Sequence, residues 1–159
     1  MINLTINDII QLNMSLAENK KAFFDYEILE KYEAGLVLTG QEVKSVKNGQ
    51  ANLKGSYITF HNKKPTVIGM HISKYKPAGK LPDYDPVRTR EVLLKKKEIA
   101  YLQGKSQEQG LTIVPLKVYA SGRLVKMEIG VGRGKKSYDK REAIKKRELK
   151  RELERAGKE

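Results

Sequence analysis

Apolar and polar residues alternate along much of this chain in short segments, and the clearest period of two lies in RLVKMEIGV at residues 123–131. There Val125, Met127, Ile129 and Val131 alternate with Lys126 and Glu128, which gives a strand one apolar and one charged face. LTIVPLKVYA at residues 111–120 reads as its neighbour across Ser121 and Gly122. FFDYEIL (residues 23–29) and GLVLTG (residues 35–40) read as two earlier strands. SYITFH and TVIGMHI flank the polar break NKKP, the pattern of a hairpin. Thr39 stands three residues before Glu42, the spacing of a capping box, so a two-turn helix carrying Val43 and Val46 is predicted to run up to Gly49. After the Pro-punctuated linker KPAGKLPDYDP, Thr89 is expected to open a helix with Val92, Leu93, Leu94, Ile99 and Leu102, interrupted at Gly104. About six strands with short helices between them point to a mainly β (α+β) domain. Closing the sheet into a small OB-like barrel would remove its exposed edges.

Beyond Val131 the pattern changes. Gly132 and Gly134 are expected to break the strand, and RGKKSYDKR at residues 133–141 places five positive charges and one negative among nine residues. Asp139 and Glu142 offer a second capping box, followed by a run of high helix propensity with pairs such as Glu142 with Lys146 and Glu154 with Lys158. Its apolar stripe of Ala143, Ile144, Leu149, Leu153 and Ala156 is thin, so the tail is expected to be disordered in the free protein and helical when phosphates neutralise its cations. The pattern therefore separates a barrel that ends at residue 132 from a basic tail at 133–159.

Charge decides the class of partner. The 159 residues hold 32 Lys and Arg against 19 Asp and Glu, a net of +13, and the chain has no cysteine. Nucleic acid is the leading anionic partner. A membrane partner is not expected, since no apolar run approaches the ~18 to 20 residues of a spanning helix. A cytoplasmic protein with no metal or cofactor is predicted. On composition alone, a solvated charged face accounts for the basic run equally well.

Enzyme readings find no carrier. GVGRGKKS at residues 130–137 suggests a phosphate loop, but Ile129 occupies its first glycine position and Lys136 stands where the hydroxyl that binds magnesium belongs. His61 and His71, the two histidines, lie at strand ends without a partner at catalytic or metal-ligand spacing.

Four blocks carry a family resemblance: NKKAFFDYEI from Asn19, EAGLVLTGQEVKSVKNGQANLKGSY from Glu33, DPVRTREVLLKKKEI from Asp85 and IGVGRGKKSYDKR from Ile129. In this order they resemble the SmpB, or SsrA-binding protein, family of bacterial tmRNA-binding proteins. The resemblance implies an oligonucleotide-binding barrel with three helices. It further implies binding to the tRNA-like domain of tmRNA, delivery to the stalled 70S ribosome in trans-translation, and action with alanyl-tmRNA and elongation factor Tu. No catalytic residue is implied. The match begins at Asn19, which implies a barrel over residues 19–132 and a disordered extension at residues 1–18, with Met14 an alternative start. A basic ribosome-associated structural or assembly protein with an OB-like barrel is the alternative that composition favours nearly as well.

Carried over position by position, the resemblance implies a tmRNA-binding surface of Asn19, Lys20, Lys21, Glu33, Lys44, Asn52, Leu93 and Lys126. Lysines suit phosphate contact, and asparagines can pair with sugar or base edges. Leu93 alone would more often be a core residue. In the tail, Gly134, Lys135, Lys136, Asp139, Lys140 and Arg141 match the motif expected at the 16S rRNA decoding centre and in the empty mRNA channel. Tyr138 stands where the family usually has His, and its ring retains the ability to stack but not to become cationic.

Overall fold

The computed structural model describes residues 15–158; the expectations for residues 1–14, including Met14, lie outside them. In chain order the elements are β1 (Ser15–Glu18), α1 (Lys20–Asp25), β2 (Tyr26–Leu36), α2 (Gly40–Lys47), β3 (Ala51–Asn52), β4 (Tyr57–His61), β5 (Lys64–Ile68) and β6 (His71–Ile72). A 3-10 turn (Lys76–Ala78), β7 (Arg90–Leu93), α3 (Lys96–Gln107), β8 (Leu111–Ser121), β9 (Leu124–Gly134) and α4 (Ser137–Ala156) follow. Seven strands form one antiparallel sheet in the order β1-β8-β9-β2-β7-β5-β4, and β3 pairs with β6 separately. The sheet curls until Tyr57–Phe60 of β4 and Leu111–Ile113 of β8 line a common cleft, yet among the described residues no ladder joins these two strands. The architecture is thus the expected mainly β, OB-like one, with its last seam unpaired.

Alternation builds the core. Val125, Met127, Ile129 and Val131 of β9 all point inward, beside Ala34 and Leu36 of β2 and Ile113 and Val118 of β8. β9 continues through its glycines to Gly134 rather than breaking at Gly132. A Cβ on Gly132 would stand 3.0 Å from Tyr26 Cβ, and one on Gly130 2.9 Å from Leu116 Cδ1, so the missing side chains let β9 press against its neighbours.

Several local features agree with the sequence. Thr39 and Glu42 form the capping box, with Thr39 N donating to Glu42 Oε2 at 3.0 Å and Glu42 N to Thr39 Oγ1 at 3.4 Å. The β4–β5 hairpin turns on Asn62 and Lys63, whose φ values of 49° and 60° suit a tight two-residue turn. Pro65 lies within β5, opposite Phe60.

Other elements differ. Residues 23–25 are helical, because Asn19 caps α1 and Ala22 is buried beneath it, and β2 runs unbroken from Tyr26 to Leu36, so only Gly35 and Leu36 of the second expected strand belong to it. The segment after Thr89 is a strand: Arg90 and Val92 face inward while Glu91 and Leu93 face out, and the helix starts only at Lys96. α3 passes through Gly104, which sits in open space. Residues 15–18, expected to be disordered, pair with β8 as β1. The tail is helical from Ser137 to Ala156. Its N-cap is Lys136 with no side-chain cap, so the Asp139–Glu142 box does not form and Asp139 lies in the first turn. The expected pairs of that helix give way to Lys150–Glu154 and to a Tyr138 hydroxyl that donates to Glu142 at 3.1 Å.

A buried ionic cluster locks α2 to the sheet. Glu42 receives Arg88 Nη2 at 2.7 Å and Arg90 Nε at 3.1 Å, and Arg90, fully buried, also donates to the carbonyls of Met70 and Pro86. Burial pushes the Glu42 carboxyl up, but hydrogen bonds from Arg88, the Thr39 backbone and Arg90 outweigh it and hold it below the usual range.

Candidate nucleic-acid interface

In β2 the inward set Tyr32, Ala34 and Leu36 forces Lys31, Glu33 and Gly35 onto the outer face. β9 sends Lys126 and Glu128 to the same face, and Gly35 is the register partner of both Lys126 and Leu93. Glu33 Oε1 accepts from Lys126 Nζ at 2.6 Å. Leu93 is 53% exposed, its side chain lying over Gly35, where a Cβ would stand 3.1 Å from Leu93 Cβ. Three residues named from the sequence, Glu33, Leu93 and Lys126, are thereby brought together.

Residues the sequence did not single out complete this face. Tyr119 of β8 is the register partner of Lys126, and Lys117 lies 5.8 Å from its ring centroid. Lys31 and Lys117 reach opposite oxygens of Glu128 at 3.7 and 3.6 Å. Lys126 first and the neighbouring Tyr119 phenol second hold the Glu33 carboxyl below its ordinary range, while burial first and Glu33 second push the Tyr119 phenol up. The phenol therefore stays a donor, and the face combines acceptor, donors, cations and one apolar spot.

Lys44 and Asn52 lie on other elements. Lys44 is exposed in the last turn of α2, with its Nζ 5.6 Å from the Tyr75 ring centroid. Asn52, on β3 opposite His71, is exposed, and its Oδ1 accepts from the Lys54 amide at 2.8 Å.

α1 and the tail root form a second group. Lys20 and Lys21 are exposed on α1, and Lys21 pairs with Asp25 at 2.9 Å. Asp25 also takes Lys140 at 3.4 Å, and its backbone carbonyl accepts from the Lys135 amide at 2.9 Å. The Lys21 hydrogen bond first, then Lys140, lower the Asp25 pKa against the opposing effect of burial. Lys135 Nζ donates to the Phe23 carbonyl at 3.0 Å, and Arg147 lies 5.7 Å from the Phe24 ring centroid. Gly134 remains in β9 opposite Tyr26. Lys136, Asp139 and Arg141 are solvent-exposed, and Tyr138 is 68% exposed.

Asn19 is placed differently from the other expected contact residues. It is 3% exposed, with Nδ2 donating to the carbonyls of Leu53 at 3.2 Å and Pro115 at 2.8 Å, and Oδ1 capping Ala22 N at 3.1 Å. It clasps α1 to β8, and its side chain is turned inward. Asp25 and Tyr119 were missed for identifiable reasons. Reading residues 23–29 as a strand hid the Lys21–Asp25 i,i+4 pair, and the bulge between Pro115 and Lys117 shifts which β8 residues face outward.

Comparison with known proteins places these residues in context. A family model described as SmpB protein matches residues 16–159. The SsrA-binding protein of Sulfurihydrogenibium sp. (strain YO3AOP1) is 52% identical over 141 residues, covering 89% of this chain and 92% of its own. That of Gloeobacter violaceus is 51% identical over 141 residues, again covering 89% and 92%. A solved chain described under "tmRNA-SmpB: a journey to the center of the bacterial ribosome" superimposes with a TM-score of 0.66 at 42% identity, covering 80% of this chain and 92% of that one.

Proposed function

The chain belongs to the SmpB family, and from that premise we propose that it binds tmRNA and serves trans-translation on stalled ribosomes. The observation that carries this reading is the convergence of Glu33, Leu93 and Lys126 on one outer face of the sheet. Folded RNA is recognised by shape and through splayed nucleotides, which a face of mixed donors, acceptors and one apolar contact can engage. Lys126 suits a phosphate, Glu33 can orient a base edge, and Leu93 offers an apolar surface to a base or ribose. Lys20, Lys21 and Lys44 extend the cationic surface along the body.

The tail has a separate role in this reading. Its exposed cations Lys136 and Arg141 and the Tyr138 ring would enter the decoding centre, and the helix behind them would follow the empty mRNA channel. Tyr138 would stack on an rRNA base, an interaction of roughly 1 to 3 kcal/mol. The protein would work in the cytoplasm with alanyl-tmRNA and elongation factor Tu, completing a tRNA-like shape without chemistry of its own.

Truncation tests the division of labour. The cut belongs after Lys136, because Arg133 and Gly134 pair with Glu27 and Tyr26 inside β9. A chain ending there should bind the tRNA-like domain within about threefold of the full chain, as few phosphate contacts are removed, yet fail to tag peptides on stalled ribosomes. Loss of tmRNA binding on truncation, or recovery of bulk ribosomal RNA without tmRNA enrichment by the full chain, would refute the proposal.

A further inference from the structure

Between the C-terminal end of α2 and the segment after β6 lies a cleft of about 500 Å³, within the size range of small-ligand sites, whose walls include Asn48, Gln50, Ser73, Lys74, Tyr75 and Lys76. Its frame is fixed by backbone ties. The Ser45 hydroxyl donates to the Ser73 carbonyl, Ser73 N donates to the Gln50 carbonyl at 2.9 Å, and the Tyr84 hydroxyl donates to the Ile72 carbonyl at 2.6 Å. The buried Glu42–Arg90 pair holds α2 against the same region.

The lining contains no carboxylate. It offers two side-chain amides, each able to donate and accept, two lysines that only donate, and one aromatic ring. Lys44 lies against the Tyr75 ring but outside the cleft lining, so the cation polarises the ring from elsewhere. An acidic peptide would satisfy the lysines and could pair with the amides, but it brings no planar face that the ring requires. A nucleotide uses all three: a face for the ring, an edge for the amides and phosphates for the lysines.

We propose that this cleft takes one unstacked nucleotide of the bound RNA, its base on Tyr75, its edge on Asn48 and Gln50, and the flanking phosphates on Lys74 and Lys76. The inference rests on the RNA-binding reading above and adds Tyr75 to it as a recognition residue. Because stacking is not a phosphate contact, Tyr75 contributes to affinity without contributing to its salt dependence.

The test uses the full chain and the tRNA-like domain of tmRNA, with a scrambled RNA as control. Ultraviolet crosslinking and peptide mass spectrometry should place a nucleotide adduct on residues 74–77 of the unmodified protein. Tyr75→Ala should weaken binding roughly 5- to 150-fold with an unchanged log–log salt slope, while Tyr75→Phe stays within about twofold. Wild-type affinity for Tyr75→Ala, equal losses for Tyr75→Ala and Tyr75→Phe, or adducts confined to other segments would overturn the subsite. A wild-type chain that binds both RNAs equally sinks the tmRNA assignment instead. The adduct and slope criteria then judge the cleft on either RNA.

Discussion

Replacing Asn19 with alanine separates a structural role from an RNA-contacting one. The side chain makes three hydrogen bonds in a site that is 3% exposed, and the truncation leaves the carbonyls of Leu53 and Pro115 without those donors and α1 without its cap. A lost cap costs about 1 kcal/mol, and the Pro115 carbonyl left without its Asn19 donor about 1 to 3 kcal/mol, while the Leu53 carbonyl keeps the Ser56 amide and hydroxyl as donors. These losses share one site and do not add fully, so a total near 3 kcal/mol is expected. For a chain of this length that lowers Tm by roughly 6 to 12 °C. Urea denaturation should show the midpoint falling with an unchanged m-value, and tmRNA affinity measured well below the melt should stay within about twofold. A variant that keeps its stability within about 1 kcal/mol while losing affinity tenfold would show that Asn19 faces RNA after all.

Two further perturbations address the ionic contacts. Glu42→Gln leaves Arg90 buried without its counter-charge and should cost roughly 3 to 5 kcal/mol at neutral pH. Because the folded Glu42 carboxyl lies below its ordinary value, its stabilisation is present above that value and is lost as pH falls through the folded pKa. Denaturation midpoints of wild type and variant should therefore converge on acidification, and a gap constant from pH 7 to pH 3 would contradict the linkage. Asp25→Asn removes the carboxylate charge shared by Lys21 and Lys140. Amide exchange across residues 135–141 should accelerate several-fold with global stability changed by less than about 1 kcal/mol, and unaltered exchange would exclude Asp25 as an anchor of the tail.

What could be read in advance depended on how far apart the cooperating residues lie. The β9 alternation and the Thr39–Glu42 box are complete within a few residues, so both were legible. Arg90 was not: an inward arginine breaks the apolar-in rule, and the carboxylate that permits it, Glu42, lies 48 residues earlier. Asn19 failed similarly, because Pro115 is 96 residues away. At Phe23 and Phe24 aromatic β propensity argued for a strand, and a cap that works through that distant contact overrode it. For the site, motif positions identified Glu33, Leu93 and Lys126. Tyr119 and Tyr75 acquire meaning only from register and from the fold around α2.

The tail root, woven into β9 through Gly134, makes the tail a boom rather than a loose tether. A 20-residue α4 is about 30 Å long, and each residue along it turns the exposed side chains by about 100°. An insertion at Lys135–Lys136 would therefore re-aim the boom at nearly constant length. One residue inserted after Arg141 would barely extend it, yet would rotate Leu149 and Leu153 by more than a quarter turn relative to Tyr138. Aim and phase can thus be varied independently, and ribosome rescue by such insertion series would reveal which of the two the tail's destination measures.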